Sequence, residues 1–128
     1  MDQTIGELAE RFGLATHVLR HWEEEGLLSP VRDGNGRRVY GEADTARVAE
    51  ILLCKEAGFS LDQLRDLFAA PGRARRDELL REQLGRVRER IVRLQDAQAL
   101  LEHGLRCRHE NYRECPRFRE MVLSRTGA

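Results

Sequence analysis

Long apolar runs are missing from this 128-residue chain. No stretch approaches the roughly 18 consecutive apolar residues that cross a membrane, which excludes a helical span. The N-terminus is polar and enters a helical pattern almost at once, so no secretory signal is expected and the cytoplasm is the expected compartment. Aromatic residues make up only 5% against 34% charged and 41% hydrophobic, which suits a helical protein with a modest core and a wet helix. Three cysteines, Cys54, Cys107 and Cys115, are too few for a disulfide scaffold. Lysine is almost absent: Lys55 stands alone among 22 basic residues. Net charge is zero, which argues against indiscriminate polyanion binding, and the first 70 residues are net acidic, with 8 basic against 13 acidic side chains. No carboxylate pair, nucleophile–base set or phosphate-binding glycine loop is present, so an enzyme is not expected.

What is present is punctuation. Thr4-Ile5-Gly6-Glu7 is a capping box, in which a hydroxyl and a carboxylate three residues on satisfy reciprocal backbone amides. Ile5, Leu8, Ala9 and Phe12 then mark one helical face, and Gly13 stops it. A second helix is predicted from about Thr16 to Glu25, with Val18, Leu19 and Trp22 inward and Gly26 as its stop. Ser29-Pro30 leads into an extended path, and Asp33-Gly34-Asn35-Gly36 is hairpin-turn chemistry at the centre of residues 31–40. A third helix spans about Glu42 to Ala57 and closes at Gly58; a second capping box, Ser60 to Gln63, opens a fourth through about Phe68. Beyond the Pro71-Gly72 linker, Leu84, Val87, Ile91, Leu94, Gln98, Leu101 and Leu105 step by three and four as a heptad seam. A lone helix cannot bury such a stripe, so a partner is implied. Pro116 starts a short last helix. The expected division is 1–70, a winged helix-turn-helix; 71–106, linker and pairing helix; and 107–128, a helical tail.

Two short helices followed by an Arg-bearing hairpin suit entry into a DNA groove. Thr16, His17, Arg20 and His21 are the exposed residues of the second helix. Arg20 can fork onto guanine O6 and N7 or clamp a phosphate, and His21 can donate to one. Arg32, Arg37 and Arg38 gather around the hairpin, while Glu23, Glu24 and Glu25 can face elsewhere. Arg37 and Arg38, with the Tyr40 hydroxyl, are placed to hold the flanking backbone or minor groove. Spacing alone also allows a protein-binding module.

The run TIGELAERFGLATHVLRHWEEEGLLSPVRDGNGRRVYGEAD, with AGFSLDQLRDLF further on, resembles the N-terminal domain of the MerR family of bacterial transcription regulators. The features that carry the likeness are TIGELA, LRxxExxGLLxPxR, the RxY of the wing and GFSLxxL, over residues 3–70. The resemblance implies a mostly α fold, with a winged helix-turn-helix, a long antiparallel coiled-coil dimerisation helix and a short helical tail. It further implies a homodimer on a pseudo-palindromic promoter element that distorts an overlong spacer for RNA polymerase. By the same likeness Arg20 matches the recognition-helix arginine, and Arg38 and Tyr40 the arginine and tyrosine of the wing. His21 and Trp22 stand where the family has a tyrosine pair, Arg37 replaces a common tyrosine, and Ala15 replaces a serine cap.

The tail carries His103, Cys107, His109 and Cys115. The C-x7-C spacing followed by proline is similar to the copper-sensing branch, where two thiolates hold a soft monovalent ion such as Cu(I). Mercury- and zinc-sensing branches also use a cysteine near the start of the dimerisation helix, and none lies between Gly72 and Glu82. Cys107 and Cys115 are open to three roles, metal ligation, a disulfide or plain packing against Phe118. Cys54, beside Leu52 and Leu53, is expected to be a buried small hydrophobe. An effector-independent architectural DNA binder and a small thiol- or metal-binding protein are the competing functional readings.

Overall fold

A computed structural model describes residues 2–127. Two compact units are present, residues 1–84 and 85–128. In the first, α1 (Ile5–Arg11) and α2 (Thr16–Glu24) form the helix-turn-helix. The capping box at Thr4 forms as its residue types demand: Glu7 N–H donates to Thr4 Oγ1 at 3.2 Å, and Thr4 N–H to Glu7 Oε1 at 3.1 Å. Ala15 supplies no side-chain cap to α2, which leaves that helix end to its packing. Gly13 and Gly26 stop the helices at φ +66° and +78°, a conformation that costs a side chain dearly.

A two-stranded antiparallel wing follows, β1 (Val31–Arg32) and β2 (Arg38–Val39), with Val31 opposite Val39. Asp33 builds its turn: Oδ1 accepts from Asn35 N–H at 2.9 Å and Arg37 N–H at 3.0 Å. Tyr40 then exchanges two backbone hydrogen bonds with Gln3, at 2.8 and 2.9 Å, stitching the wing to the chain's start. α3 (Glu42–Glu56) and α4 (Leu61–Phe68) complete the unit, and the second capping box forms between Ser60 and Gln63. Leu8, Leu19, Tyr40, Val48, Ile51 and Leu64 are fully buried at the centre, with Trp22 beside them. Arg47 stacks over the Phe68 ring at 4.2 Å, a cation–π contact that ties α3 to α4. Arg65 pairs with both Glu25 and Asp62.

α5 runs unbroken from Arg73 to Arg106, 34 residues, through both Gly85 and Gly104. The sequence break at Pro71-Gly72 does not end the first compact unit, which extends to Leu84. Leu79 is buried, and Gln83, 6% exposed, donates its side-chain N–H to the Ala57 carbonyl at 2.8 Å. That bond satisfies an orphan carbonyl at the C-terminal end of α3. From Ile91 on the heptad residues lie open on the single chain: Ile91 is 48% exposed, Leu94 61% and Leu105 88%. In the second unit, a short 3-10 turn (Tyr112–Glu114) precedes α6 (Pro116–Arg125).

Gly58 sits at φ +92°, and a Cβ there would lie 2.6 Å from Gln83 Nε2. Gly58→Ala is therefore expected to lower the unfolding free energy by about 1–3 kcal/mol, measured by urea titration. Adding Gln83→Ala should relieve the clash but leave the backbone strain and remove the bond to the Ala57 carbonyl, so stability should not return to the wild-type value.

Candidate functional site

The first unit gathers arginine along one cleft. Thr4 and Ile5 of the first turn region, Arg20 of α2, and Arg32, Gly36, Arg37, Arg38 and Tyr40 of the wing line a hollow of about 310 Å3. His17, Arg20 and His21 are exposed on α2, and Thr16 is half-buried at its first turn. Because α2 advances by 3.6 residues per turn, Leu19 and Trp22 face the core while Arg20 faces away from it. Arg32, expected near the hairpin with Arg37 and Arg38 but not as a DNA contact, also lines this cleft, and its Nη1 donates to the Gly36 carbonyl at 2.8 Å. Its place opposite Arg38 in the hairpin register puts both arginines on one surface of the wing.

Tyr40 corrects an expectation. Its hydroxyl was expected to reach a nucleic-acid backbone, but the residue is fully buried and the hydroxyl lies 3.4 Å from Glu23 Oε2. The ring is a core residue because the Gln3 pairing draws the end of the wing inward. Burial is the first cause that raises its pKa, with Glu23 adding to it. The other oxygen of the same carboxylate accepts from Arg38 Nε at 2.6 Å, and this bond raises the Arg38 pKa further. Glu23 was expected to face away from the hairpin arginines, but it bonds Arg38; its partners lie 15 and 17 residues away, beyond the reach of a local pattern.

The second unit holds a different chemistry. One Sγ or ring nitrogen from each of His103, Cys107 and Cys115 lies within 4.8 Å of the others. His103 lies in the last turn of α5 and Cys107 just beyond it; Cys107 N–H donates to the His103 carbonyl at 2.8 Å, which sets the two at i and i+4 on one side. Cys115 reaches them because the connection is closed locally. Asn111 Oδ1 accepts from Arg113 N–H at 3.1 Å, Arg119 Nε donates to the Arg113 carbonyl at 3.0 Å, and Tyr112 meets Phe118 edge-to-face at 5.1 Å. The bulky seven-residue connection thus folds into a bend and one 3-10 turn. His103 Nε2 lies 3.3 Å from Cys115 Sγ, and Cys115 is 4% exposed. His109 Nδ1 lies 3.5 Å from Cys107 Sγ but outside the trio.

Cys115 precedes Pro116 at the head of α6, where backbone amides point toward it. The Phe118 amide first, then the His103 ring, hold its thiol down to about 6, against an opposing push from burial. Beside the trio is an apolar hollow of about 590 Å3, with Leu100, Leu101, Tyr112 and Phe118 in its wall. Cys54 is half-buried against the core, and burial pushes its thiol up, as suits a packing residue.

Comparison with known proteins identifies a family. The family model for "MerR HTH family regulatory protein" matches residues 3–70, and that for "MerR, DNA binding" matches residues 45–104. The chain is 32% identical over 123 residues to the HTH-type transcriptional regulator HmrR of Rhizobium leguminosarum bv. viciae, covering 91% of this chain and 95% of that one. Its fold is similar to that of HiNmlR, described as a MerR family regulator lacking the sensor domain and bound to promoter DNA. That match has a TM-score of 0.68 and 27% identity, covering 82% of this chain and 88% of the other. It is also similar to PbrR691 of Ralstonia metallidurans CH34, solved in complex with lead(II). Here the TM-score is 0.62 and the identity 28%, over 88% of this chain and 94% of that one.

A thiol held down in the folded state stabilises the fold above the ordinary thiol range, and that contribution is lost as pH falls through about 6. In the reduced, metal-free protein, ultraviolet thiolate absorbance should show one thiol ionising near 6. Cys115→Ser should remove this step, and His103→Ala should move it toward higher pH. Ionisation of every thiol in the ordinary range would mean that the trio does not assemble.

Proposed function

This chain belongs to the MerR family of transcription regulators, and on that footing we propose a homodimeric regulator that senses a soft metal ion through its C-terminal thiols. DNA binding is the activity of the first unit. The observation that carries its assignment to particular residues is the arginine-lined cleft between α2 and the wing. Arg20, with Thr16, His17 and His21 around it, meets base edges and phosphates in the major groove. Arg37 and Arg38, joined by Arg32, hold the flanking backbone. Their local concentration offsets the net acidity of residues 1–70, because phosphate contacts depend on placement more than on the domain sum. No helix of the described residues is long and apolar enough to cross a membrane, and promoter DNA puts the working site in the bacterial cytoplasm.

Pairing follows from the open seam on α5. Leu94, Leu101 and Leu105 are more than half exposed on the single chain, and a second copy supplies the cover. Two recognition helices related by twofold symmetry then read a pseudo-palindrome. The regulator distorts an overlong promoter spacer and so realigns the elements that RNA polymerase reads, which is recognition through deformation energy.

For the effector, the donor chemistry supports a soft ion. Cys107 and Cys115 would be the thiolate ligands, with His103 as a nitrogen donor and His109 as a neighbour of Cys107. Two sulfurs suit a d10 monovalent ion such as Cu(I), whereas Zn(II) takes about four ligands in a tetrahedron and the trio offers fewer. A thiolate already favoured at Cys115 lowers the proton cost of binding. The side of the trio toward the hollow is lined largely by apolar side chains.

Three measurements test the reading. Arg20→Ala should weaken binding to the DNA upstream of the gene by about five- to 150-fold, corresponding to ~1–3 kcal/mol, in a gel shift. Ile91→Asp with Leu94→Asp should halve the solution mass. Cys115→Ser should abolish the transcriptional response to Cu(I) while leaving operator affinity in the metal-free state unchanged. A Cys107→Ser, Cys115→Ser variant that still responds to the metal would remove the sensing role from the trio.

A further inference from the structure

Glu23 is an acid on a helix that faces DNA, and an unpaired carboxylate there would repel phosphate. Its surroundings give it a different part. Oε1 accepts from Arg38 Nε at 2.6 Å, and Oε2 lies 3.4 Å from the Tyr40 hydroxyl. Tyr40 is fully buried and pinned through its backbone to Gln3. The carboxylate side chain is 20% exposed, while the Arg38 side chain is 44% exposed and lines the arginine cleft. A core residue thus fixes a carboxylate, and the carboxylate fixes an arginine at the surface.

The atom used on Arg38 decides what this chain of contacts can do. A guanidinium bound edge-on through both terminal nitrogens would have spent its fork. Here the contact is to Nε, so among the described residues both terminal amino groups remain uncommitted. A planar guanidinium held at Nε has its orientation set, and the paired terminal N–H groups match two phosphate oxygens. Holding that geometry before DNA arrives removes rotamer entropy from the cost of binding. Pairing also cancels most of the carboxylate's repulsion.

We propose that Glu23 is a positioning residue for DNA binding, taking the Arg38 Nε–H so that the terminal amino groups of Arg38 clamp a backbone phosphate. The inference rests on the reading of this cleft as the DNA interface. The Tyr40 hydroxyl serves the same end one step back, by setting the rotation of the carboxylate.

A double-mutant cycle on the full-length dimer tests it, with duplex DNA from upstream of the gene and affinity measured across a salt series. Glu23→Ala should weaken binding by about tenfold although it removes a negative charge, since it costs an oriented charge-assisted contact in each protomer. The salt slope should fall by roughly two for the dimer, at about 0.9 per phosphate lost. In an Arg38→Ala background the same change should leave affinity unaltered or improve it. Glu23→Gln, which keeps an acceptor for Nε, should retain most of the wild-type affinity. Tighter binding by Glu23→Ala, or an equal loss with and without Arg38, would overturn the proposal. If Glu23→Ala lacks a cooperative thermal melt, the wild-type protein still decides. The Arg38 Nε–H resonance should exchange slowly with water both free and on DNA, and fast exchange in the complex would refute the clamp. Wild-type protein that forms no salt-sensitive complex, with Arg20→Ala indistinguishable from it, would overturn the DNA interface itself and this inference with it.

Discussion

Tyr40 is held from two directions: its backbone trades hydrogen bonds with Gln3, and its ring lies wholly out of solvent among Leu8, Leu19 and their neighbours. An aromatic side chain buried this way contributes on the order of 2–3 kcal/mol from apolar area alone, more than a two-residue strand pair supplies by itself. The wing depends on this anchorage. β1 and β2 contribute four residues in all, and an isolated hairpin of that size is at best marginal in water. With Tyr40 seated, the strand that carries Arg38 has a fixed exit from the core, and Asp33 holds the far end of the turn. The arginine-lined cleft is a consequence of those two fixed points.

The same economy governs the second unit. A thiol at the end of α5 and another before α6 are eight positions apart, too distant for helical spacing to bring together. Asn111, Arg119 and the Tyr112–Phe118 pair close the connection, so that sulfur meets sulfur and imidazole in one place. Local backbone amides at the head of α6 then favour the ionised form of the nearer sulfur. Assembly of donors and adjustment of their proton affinity therefore share a cause: the turn that starts α6.

Helix limits were legible in the residues because the forces that set them are short-ranged. Thr4 with Glu7 and Ser60 with Gln63 close bonds over three positions, and Gly13, Gly26 and Gly58 adopt the conformations that their stop positions require. α2 and α3 each end one residue before the expected boundary, since the last residue before the glycine serves as cap or in the closing turn. The seam on α5 was equally plain, being a matter of period. Its open leucines are what a pattern without an intramolecular partner must give.

The amino-acid order by itself determined where helices start and stop, which faces are apolar, and that the hairpin turns at Asp33. Each of these depends on contacts within about four residues. Tertiary structure alone decided that Tyr40 turns inward rather than toward DNA, that Glu23 joins Arg38 to it, and that Gln83 closes the end of α3. Those contacts span 15 to 26 positions, and nothing in a local pattern distinguishes the partner that a carboxylate or an amide will meet once the core has formed.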